Sequence, residues 1–310
     1  MPSLETTPVR TGSTASPAAG RSGFTPGCSG IGLGGHEPVG QETRTAADNN
    51  SPAIADTWGA LAQHTSARIA LGRAGGSART GTLLDFRLSH ARARDAVQMQ
   101  FDAEPLCAAL RRAGLETAQL ETAAADRRTF LVRPDLGRML APAARGALLQ
   151  RREIWGCRDL AIIISDGLSA LAAERQVGPV LTHLVPLLRA AGWSLFPIFL
   201  APFGRVKLQD EIGELLGARH TLMLLGERPG LGSPDSLGAY FTFMPRAACT
   251  DADRNCISNI RPEGFPPKAA AQKIAQLLLE SARRGLSGVA LKDTGDDLPL
   301  PIAAATRAIA

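Results

Sequence analysis

The sequence has no long apolar run and no apolar leader. Its longest continuous apolar segments, such as LAIII at residues 160–164, fall far short of the ~20 residues that a membrane-spanning helix needs. The first 20 residues, MPSLETTPVRTGSTASPAAG, lack the apolar core of a secretory signal peptide. We therefore expect no contact with a membrane and predict that the protein is cytoplasmic.

Paired cysteines and metal-binding motifs are also missing. The five cysteines stand at positions 28, 107, 157, 249 and 256, without a CxxC motif and without a nearby histidine at ligand spacing. No HExxH motif is present, and the five histidines are scattered along the chain. We predict free thiols and no metal site, since 310 residues can build a hydrophobic core without disulfides or zinc.

Aromatic residues are scarce, and this bears on the choice of partner. The net charge is +5 and arginines cluster at residues 87–98, 126–138 and 150–155, which by charge alone would suit nucleic acid. Acidic residues interrupt these clusters, however. The chain contains a single tyrosine, so the clusters offer no aromatic surface on which nucleic-acid bases could stack. We predict no nucleic-acid partner and expect the arginines to face solvent or another protein.

Composition divides the chain into four parts. The first 50 residues contain nine Gly and five Pro, a share typical of disordered segments. We predict a disordered low-complexity tail over residues 1–57 and a mostly helical, partner-facing region over 58–150. An α/β domain is expected over 151–292, followed by a C-terminal tail over 293–310.

The α/β domain shows strand and helix patterns in alternation. The order βαβαβ predicts a Rossmann-like, doubly wound and mainly parallel sheet. The helical stretch after the first strand is expected to form two pieces, with a kink at Pro186, and His183 is expected to pack in the core. The predicted strands are residues 159–167, 193–202, 220–226 and 239–245.

Three loops should meet where the parallel strands end, because ligands of such sheets bind at the carboxyl edge. They are SDG (165–167), FGRVK (203–207) and GERPGLG (226–232). GERPGLG satisfies neither the Walker pattern nor GxGxxG, and the GxSxG spacing fails around Ser169, which we interpret as a helix-start residue. The polar candidates near these loops are Ser165, Asp166, Arg205, Lys207, Glu227, Arg228, Asp235 and the stretch 254–262.

Several consecutive blocks carry a family resemblance. From about residue 66 to 292 the sequence resembles the small (light) subunit of ethanolamine ammonia-lyase, the adenosylcobalamin-dependent enzyme that converts ethanolamine to acetaldehyde and ammonia. The blocks are FLVRPDLGRML (130–140), IISDGLS (163–169), GRVKLQDEIGELLGA (204–218), LLGERPGLG (224–232) and ADRNCISNIRPEGFPP (252–267).

The resemblance implies a division of labour between two chains. The large subunit would bind ethanolamine and run the radical chemistry, while this chain would close over the lower side of the cofactor within a higher hetero-oligomer. It implies no catalytic residue here and cofactor contacts at Val206, Glu227 and Cys256. No DxHxxG pattern is present, so the family implies a cofactor that keeps its own dimethylbenzimidazole on cobalt.

Each of these three residues has a role that suits its chemistry. Val206 would give apolar contact, and Glu227 would accept from an amide at the corrin edge, away from the nucleotide phosphate, because two anions repel. Cys256 is expected to be a packing or weak hydrogen-bond contact and not a nucleophile. The glycines of GERPGLG would let the backbone approach a large ligand.

Two other functions stay open at this stage. The chain could be a non-enzymatic Rossmann-like module for another ligand, or a stand-alone enzyme with Asp166 or Glu227 as general base. Residence in a bacterial microcompartment for ethanolamine use is also open, since the first 50 residues show no convincing amphipathic helix to act as its signal.

Overall fold

The computed structural model describes residues 53–54, 56–65 and 67–293. The predicted tail over 1–57 and the C-terminal tail over 293–310 therefore lie almost entirely outside the described residues. The described chain opens with a two-residue antiparallel ladder between β1 (Ala53–Ile54) and β2 (Arg73–Ala74). None of the helices described is long and apolar enough to cross a membrane.

One six-stranded sheet organises the rest, in the order β3-β5-β4-β6-β7-β8. The first four of these run parallel to their neighbours, whereas β7 and β8 are antiparallel. The prediction of a mixed α/β fold with a mainly parallel sheet is confirmed; its Rossmann-like detail is not. The strands are β3 (Thr117–Gln119), β4 (Leu160–Ser165), β5 (Ile198–Leu200), β6 (His220–Gly226), β7 (Leu237–Phe243) and β8 (Arg254–Ile260).

Helices cover both faces of the sheet. Their buried side chains form two clusters: a larger one with α2, α5 and α7, and a second one, the α6-side cluster, with α4 and α6. Every residue of β4 and β6 is buried, which explains why these strands appear in the sequence as continuous apolar runs. The helices are α1 (Thr80–Gln98), α2 (Ala103–Arg112), α3 (Arg127–Val132), α4 (Pro142–Trp155), α5 (Ala170–Ala190), α6 (Leu208–Leu216) and α7 (Pro267–Arg284).

Helix α5 differs from its prediction. It is one continuous helix with Pro179 and Pro186 inside, not two pieces. The prolines lie seven residues apart on the exposed face, so the carbonyl groups that they leave without an amide partner can be hydrated. His183 lies on the same exposed face, and the prediction that it packs in the core is wrong. Ser169 does cap the helix start, because its Oγ accepts from the amide of Ala172 at 3.2 Å.

The start of GERPGLG is packed against its own chain. A Cβ added to Gly226 would overlap the carbonyl oxygens of Asp166 and Ser169 in the turn between β4 and α5. The carbonyl of Gly226 in turn accepts from the amide of Leu168 at 3.0 Å. The glycine at 226 is therefore explained by internal packing and not by the approach of a ligand.

Replacing Gly226 by alanine should therefore destabilise the fold. We expect G226A to lower the free energy of unfolding by about 1 to 3 kcal/mol or more, because the methyl group has no space without movement of two backbone segments. Urea titration followed by circular dichroism measures this. Gly146 in α4 meets nothing within 4 Å of an added Cβ, so G146A should keep or slightly raise stability. Equal losses in both variants would contradict the packing argument.

His220, at the start of β6, is a buried histidine. Its ring lies 5.0 Å from those of Trp193 and Phe243, and its Nε2 is 3.2 Å from the Oγ of Ser281, while Nδ1 has no partner. Burial, with a smaller contribution from the charge of Arg219, lowers the pKa of His220 from 6.5 to about 4. The folded protein therefore holds this imidazole neutral.

This shift predicts a loss of stability in acid. Between pH 6.5 and about 4 the unfolded chain binds a proton at His220, whereas the folded chain does not. The free energy of unfolding therefore falls as the pH falls. The difference amounts to about 2 to 4 kcal/mol at the low end. Urea midpoints at pH 7 and pH 5 should show a shallower pH dependence for H220Q than for the wild type. The exposed His183 gives the control: H183Q should keep the wild-type dependence, and an unchanged H220Q would refute the assignment.

Candidate functional site

The three loops expected at the carboxyl edge of the sheet do meet there. The carboxylate of Asp166 accepts from the guanidinium of Arg127 at 2.7 Å, from the amide of Phe203 at 2.7 Å and from the Oγ of Ser165 at 3.2 Å. Ser165 Oγ itself accepts from the amide of Gly204 at 2.8 Å. Direct hydrogen bonds thus fix the loop after β5 to the end of β4.

The same contacts remove Asp166 from the candidates for a general base. Its side chain is completely buried and forms an ion pair with Arg127, whose side chain is 9% exposed. A general base must reach the proton that it abstracts, and both oxygens of this carboxylate are occupied inside the protein. Asp166 holds the loops in place.

The loop after β5 has a strained backbone. Phe203 adopts a φ of 61°, a left-handed conformation that is uncommon for a residue with a bulky side chain. The neighbouring amide of Arg205 donates to the carbonyl of Gly137 at 2.7 Å, and a Cβ at Gly137 would lie 2.5 Å from the carbonyl oxygen of Phe203. Such strain persists only where the surroundings hold it, and it concentrates at functional sites.

Val206 lies in this loop and packs, half-buried, against the α6-side cluster. Lys207 beside it is already bonded within the protein. Its Nζ donates to the carbonyls of Ala247 at 2.8 Å and Cys249 at 2.6 Å. It therefore serves to hold the segment around 247–249 against the start of α6 and has little capacity left for a ligand.

Glu227 lies directly after β6 with one oxygen occupied and one available. Oε2 accepts from the Oγ of Ser236 at 2.6 Å and from the amide of Asn259 at 3.2 Å. Oε1 makes no hydrogen bond to any described residue. It lies beside Gly238 of β7, where an added Cβ would be 2.9 Å from Oε1 and 2.7 Å from the ring of Tyr240. The hydrogen bonds to Oε2 thus fix the orientation of the carboxylate, and Oε1 remains available as an acceptor.

Cys256 and Tyr240 face each other across β8 and β7. The charge of Glu227 raises the pKa of both groups. Desolvation raises the pKa of the Cys256 thiol most, the neighbouring Tyr240 hydroxyl lowers it and Glu227 raises it again. Because only the thiolate is a nucleophile, a protonated Cys256 suits a contact role.

Together these side chains form what we call the Glu227–Tyr240–Cys256 patch. Tyr240 packs against the α6-side cluster, as Val206 does, so the predicted residues Val206, Glu227 and Cys256 share one face of the sheet. Tyr240 is not among the candidates from the sequence. The alternation of LGAYFTF in β7 nevertheless places it on the other face of the strand from the buried Ala239 and Phe241. The stretch 254–262, one of the polar candidates from the sequence, is mostly strand β8.

Cys256 is exposed in the patch, whereas Glu227 and Tyr240 are half-buried. A cavity of about 760 Å³ lies elsewhere, between α1 and the end of the GERPGLG loop, and includes none of the three predicted residues in its wall. Within the described residues, no group of three or more His, Cys, Asp or Glu side chains is placed to hold a metal ion. The patch can therefore offer a broad surface with a few fixed polar groups.

The opposing influences on Cys256 predict how two variants alter its reactivity. E227Q removes a negative charge and should speed alkylation of Cys256 by iodoacetamide at pH 7.5 about two- to fivefold, whereas Y240F should slow it. Mass spectrometry of the modified peptide measures the rate. Cys157 is exposed and distant in sequence from Cys256. Its alkylation rate, measured in the same sample, should not change. Equal rates for Cys256 in wild type and E227Q would show that the carboxylate does not act on the thiol.

Comparison with known proteins agrees with the sequence blocks. The family model described as ethanolamine ammonia-lyase light chain (EutC) matches residues 55–292. The chain is 55% identical over 249 residues to the ethanolamine ammonia-lyase small subunit of Azotobacter vinelandii, covering 80% of this chain and 92% of that protein. It is 51% identical over 242 residues to the Xanthomonas campestris pv. campestris (strain B100) small subunit, covering 78% and 89%. This chain belongs to the ethanolamine ammonia-lyase light-chain family.

Proposed function

We propose that this chain is the small subunit of an adenosylcobalamin-dependent ethanolamine ammonia-lyase. It closes over the lower side of the cofactor, which keeps its dimethylbenzimidazole on cobalt, and works as a complex with the large subunit. When bound, the cofactor supplies the radical that starts the conversion of ethanolamine to acetaldehyde and ammonia. The observation that carries the proposal is the free Oε1 of Glu227 on a partly exposed patch in a chain of this family.

The patch fits a corrin edge. Cobalamin is a broad macrocycle fringed by amides, so its protein contacts need apolar surface and a few oriented acceptors. Oε1 of Glu227 is such an acceptor, since Ser236 and Asn259 hold the carboxylate through its other oxygen. Gly238 keeps the surface beside it free of a side chain.

Val206 and Cys256 complete the contact surface in the proposal. Val206 is held against the α6-side cluster and presents an apolar side chain beside the strained loop. Cys256 is exposed, and desolvation raises the pKa of its thiol, so it offers a neutral thiol for packing or a weak hydrogen bond.

The helical region before the sheet supports contact with a large partner. Leu83, Leu84, Phe86 and Leu88 of α1 are all exposed, and only Ser89 and Ala96 of this nineteen-residue helix are buried. Large apolar side chains on both sides of a helix mark a surface that another protein covers. We assign this surface to the large subunit, in a cytoplasmic complex.

Packaging into a microcompartment is not part of the proposal. The segment that would carry such a signal lies before residue 53, outside the described residues. The proposal therefore covers catalysis in the complex and makes no use of the predicted tail.

Binding and turnover measurements test the proposed function. Ethanolamine should be deaminated by the chain together with its large subunit and by neither chain alone. In the complex, E227A should weaken cobalamin binding about tenfold by equilibrium dialysis, because an acceptor is lost at the corrin edge, while E227Q should keep most of the affinity.

The control variant is E153A, which removes an exposed carboxylate from α4 and should bind cobalamin like the wild type. Turnover of ethanolamine by this chain alone would overturn the division of labour. Tight nucleotide binding without cobalamin binding would favour a non-enzymatic module for another ligand.

A further inference from the structure

Four arginines converge beside the patch, and the proposed contacts leave them unused. Arg127 and Arg205 both lie over the ring of Phe130, at 5.3 and 4.2 Å from its centroid. Arg138 follows Gly137, whose carbonyl accepts from the Arg205 amide at 2.7 Å. Arg228 follows Glu227 after β6. We call Arg127, Arg138, Arg205 and Arg228 the arginine cluster.

The cluster carries more positive charge than its surroundings balance. Burial lowers the pKa of Arg205, and the charges of Arg127, Arg138 and Arg228 lower it further, while Asp166 opposes them. Asp166 is already paired with Arg127, and Asp135, which feels the charge of Arg138, is bonded to Arg133 at 2.8 Å. Like charges are thus held together without enough carboxylate to neutralise them.

Two atoms of the cluster are buried without a partner. The side chain of Arg127 is 9% exposed and its Nη2 makes no hydrogen bond, and the Nε of Arg205 is equally unpaired. An unpaired donor of a buried cation is costly, so these two side chains retain unused capacity to donate hydrogen bonds. Arg138 and Arg228 are exposed and leave the cluster open on one side.

We propose that the arginine cluster binds the phosphodiester of the cobalamin nucleotide, an inference that rests on the proposed function and deepens it. Two cluster residues, Arg205 and Arg228, are direct chain neighbours of Val206 and Glu227, so the cluster borders the corrin contact surface. Guanidinium groups match phosphate oxygens with pairs of parallel donors.

The test compares cobalamin with cobinamide, a corrinoid that lacks the nucleotide and its phosphate. In the complex with the large subunit, R205Q and R228Q should each weaken hydroxocobalamin binding about tenfold and change cobinamide binding less than twofold. R205K keeps the charge but loses the planar donor pair, and should lie between wild type and R205Q. Arg228 is exposed, so its variant keeps the fold even where R205Q does not.

Controls separate this inference from the proposed function. R112Q removes one exposed positive charge from α2 and should leave both affinities unchanged. If the wild-type complex binds neither corrinoid, the proposed function itself fails. If both corrinoids bind and the cluster variants weaken them equally, or only weaken association of the two subunits, the phosphate assignment is wrong. Binding of inorganic phosphate at the cluster with cobalamin already in place, detected by ³¹P NMR, would also overturn it.

Discussion

The buried carboxylate of Asp166 is the contact on which the site depends. It ties together the end of β4, the loop after β5 and Arg127 of α3 through hydrogen bonds of 2.7 to 3.2 Å. Because the carboxylate is paired with a guanidinium, its burial leaves no isolated charge, whereas loss of either partner would expose the other to the cost of an unpaired buried ion. The hydrogen bond from the Phe203 amide to Asp166 also holds the left-handed backbone conformation of Phe203. Asp166 thus helps to fix the position of the loop that carries Arg205 and Val206.

The second determinant of the site is the antiparallel extension of the sheet. β7 returns beside β6 and pairs with β8, so that Tyr240 and Cys256 face each other next to the carboxylate of Glu227. Parallel strands with helices on both faces would bury this surface, whereas two antiparallel strands at one edge leave part of a face open. The chain therefore combines a rigid edge of loops with a partly exposed patch. A large flat ligand shared with another protein needs both.

Much of the fold could be predicted from the sequence where the pattern of apolar residues is strong. β6 was predicted at its observed bounds, and Glu227 and Val206 were placed on loops at the correct edge. Cys256 came only from the family resemblance, and Tyr240 was missed, because their meeting depends on the register between β7 and β8, which no local pattern encodes. From the sequence, Pro179 is interpreted as the start of a second helix and Pro186 as a kink within it, because the sequence does not show that both prolines lie on the exposed face of one helix. The arginine cluster draws on four separate segments, so only the tertiary fold brings it together.

In our proposal this chain covers a cofactor whose chemistry takes place in a partner. We propose that Val206, Glu227 and Cys256 contact the corrin, that the arginine cluster binds the phosphate, and that the apolar side chains of α1 contact the partner. A cryo-EM map of the complex of this chain and its large subunit, loaded with cobalamin, tests this most directly. We predict that the corrin edge lies within hydrogen-bond distance of Glu227 Oε1, on the face that carries Tyr240 and Cys256. A cofactor enclosed by the large subunit alone, or bound on the face covered by α5 and α7, would contradict the account.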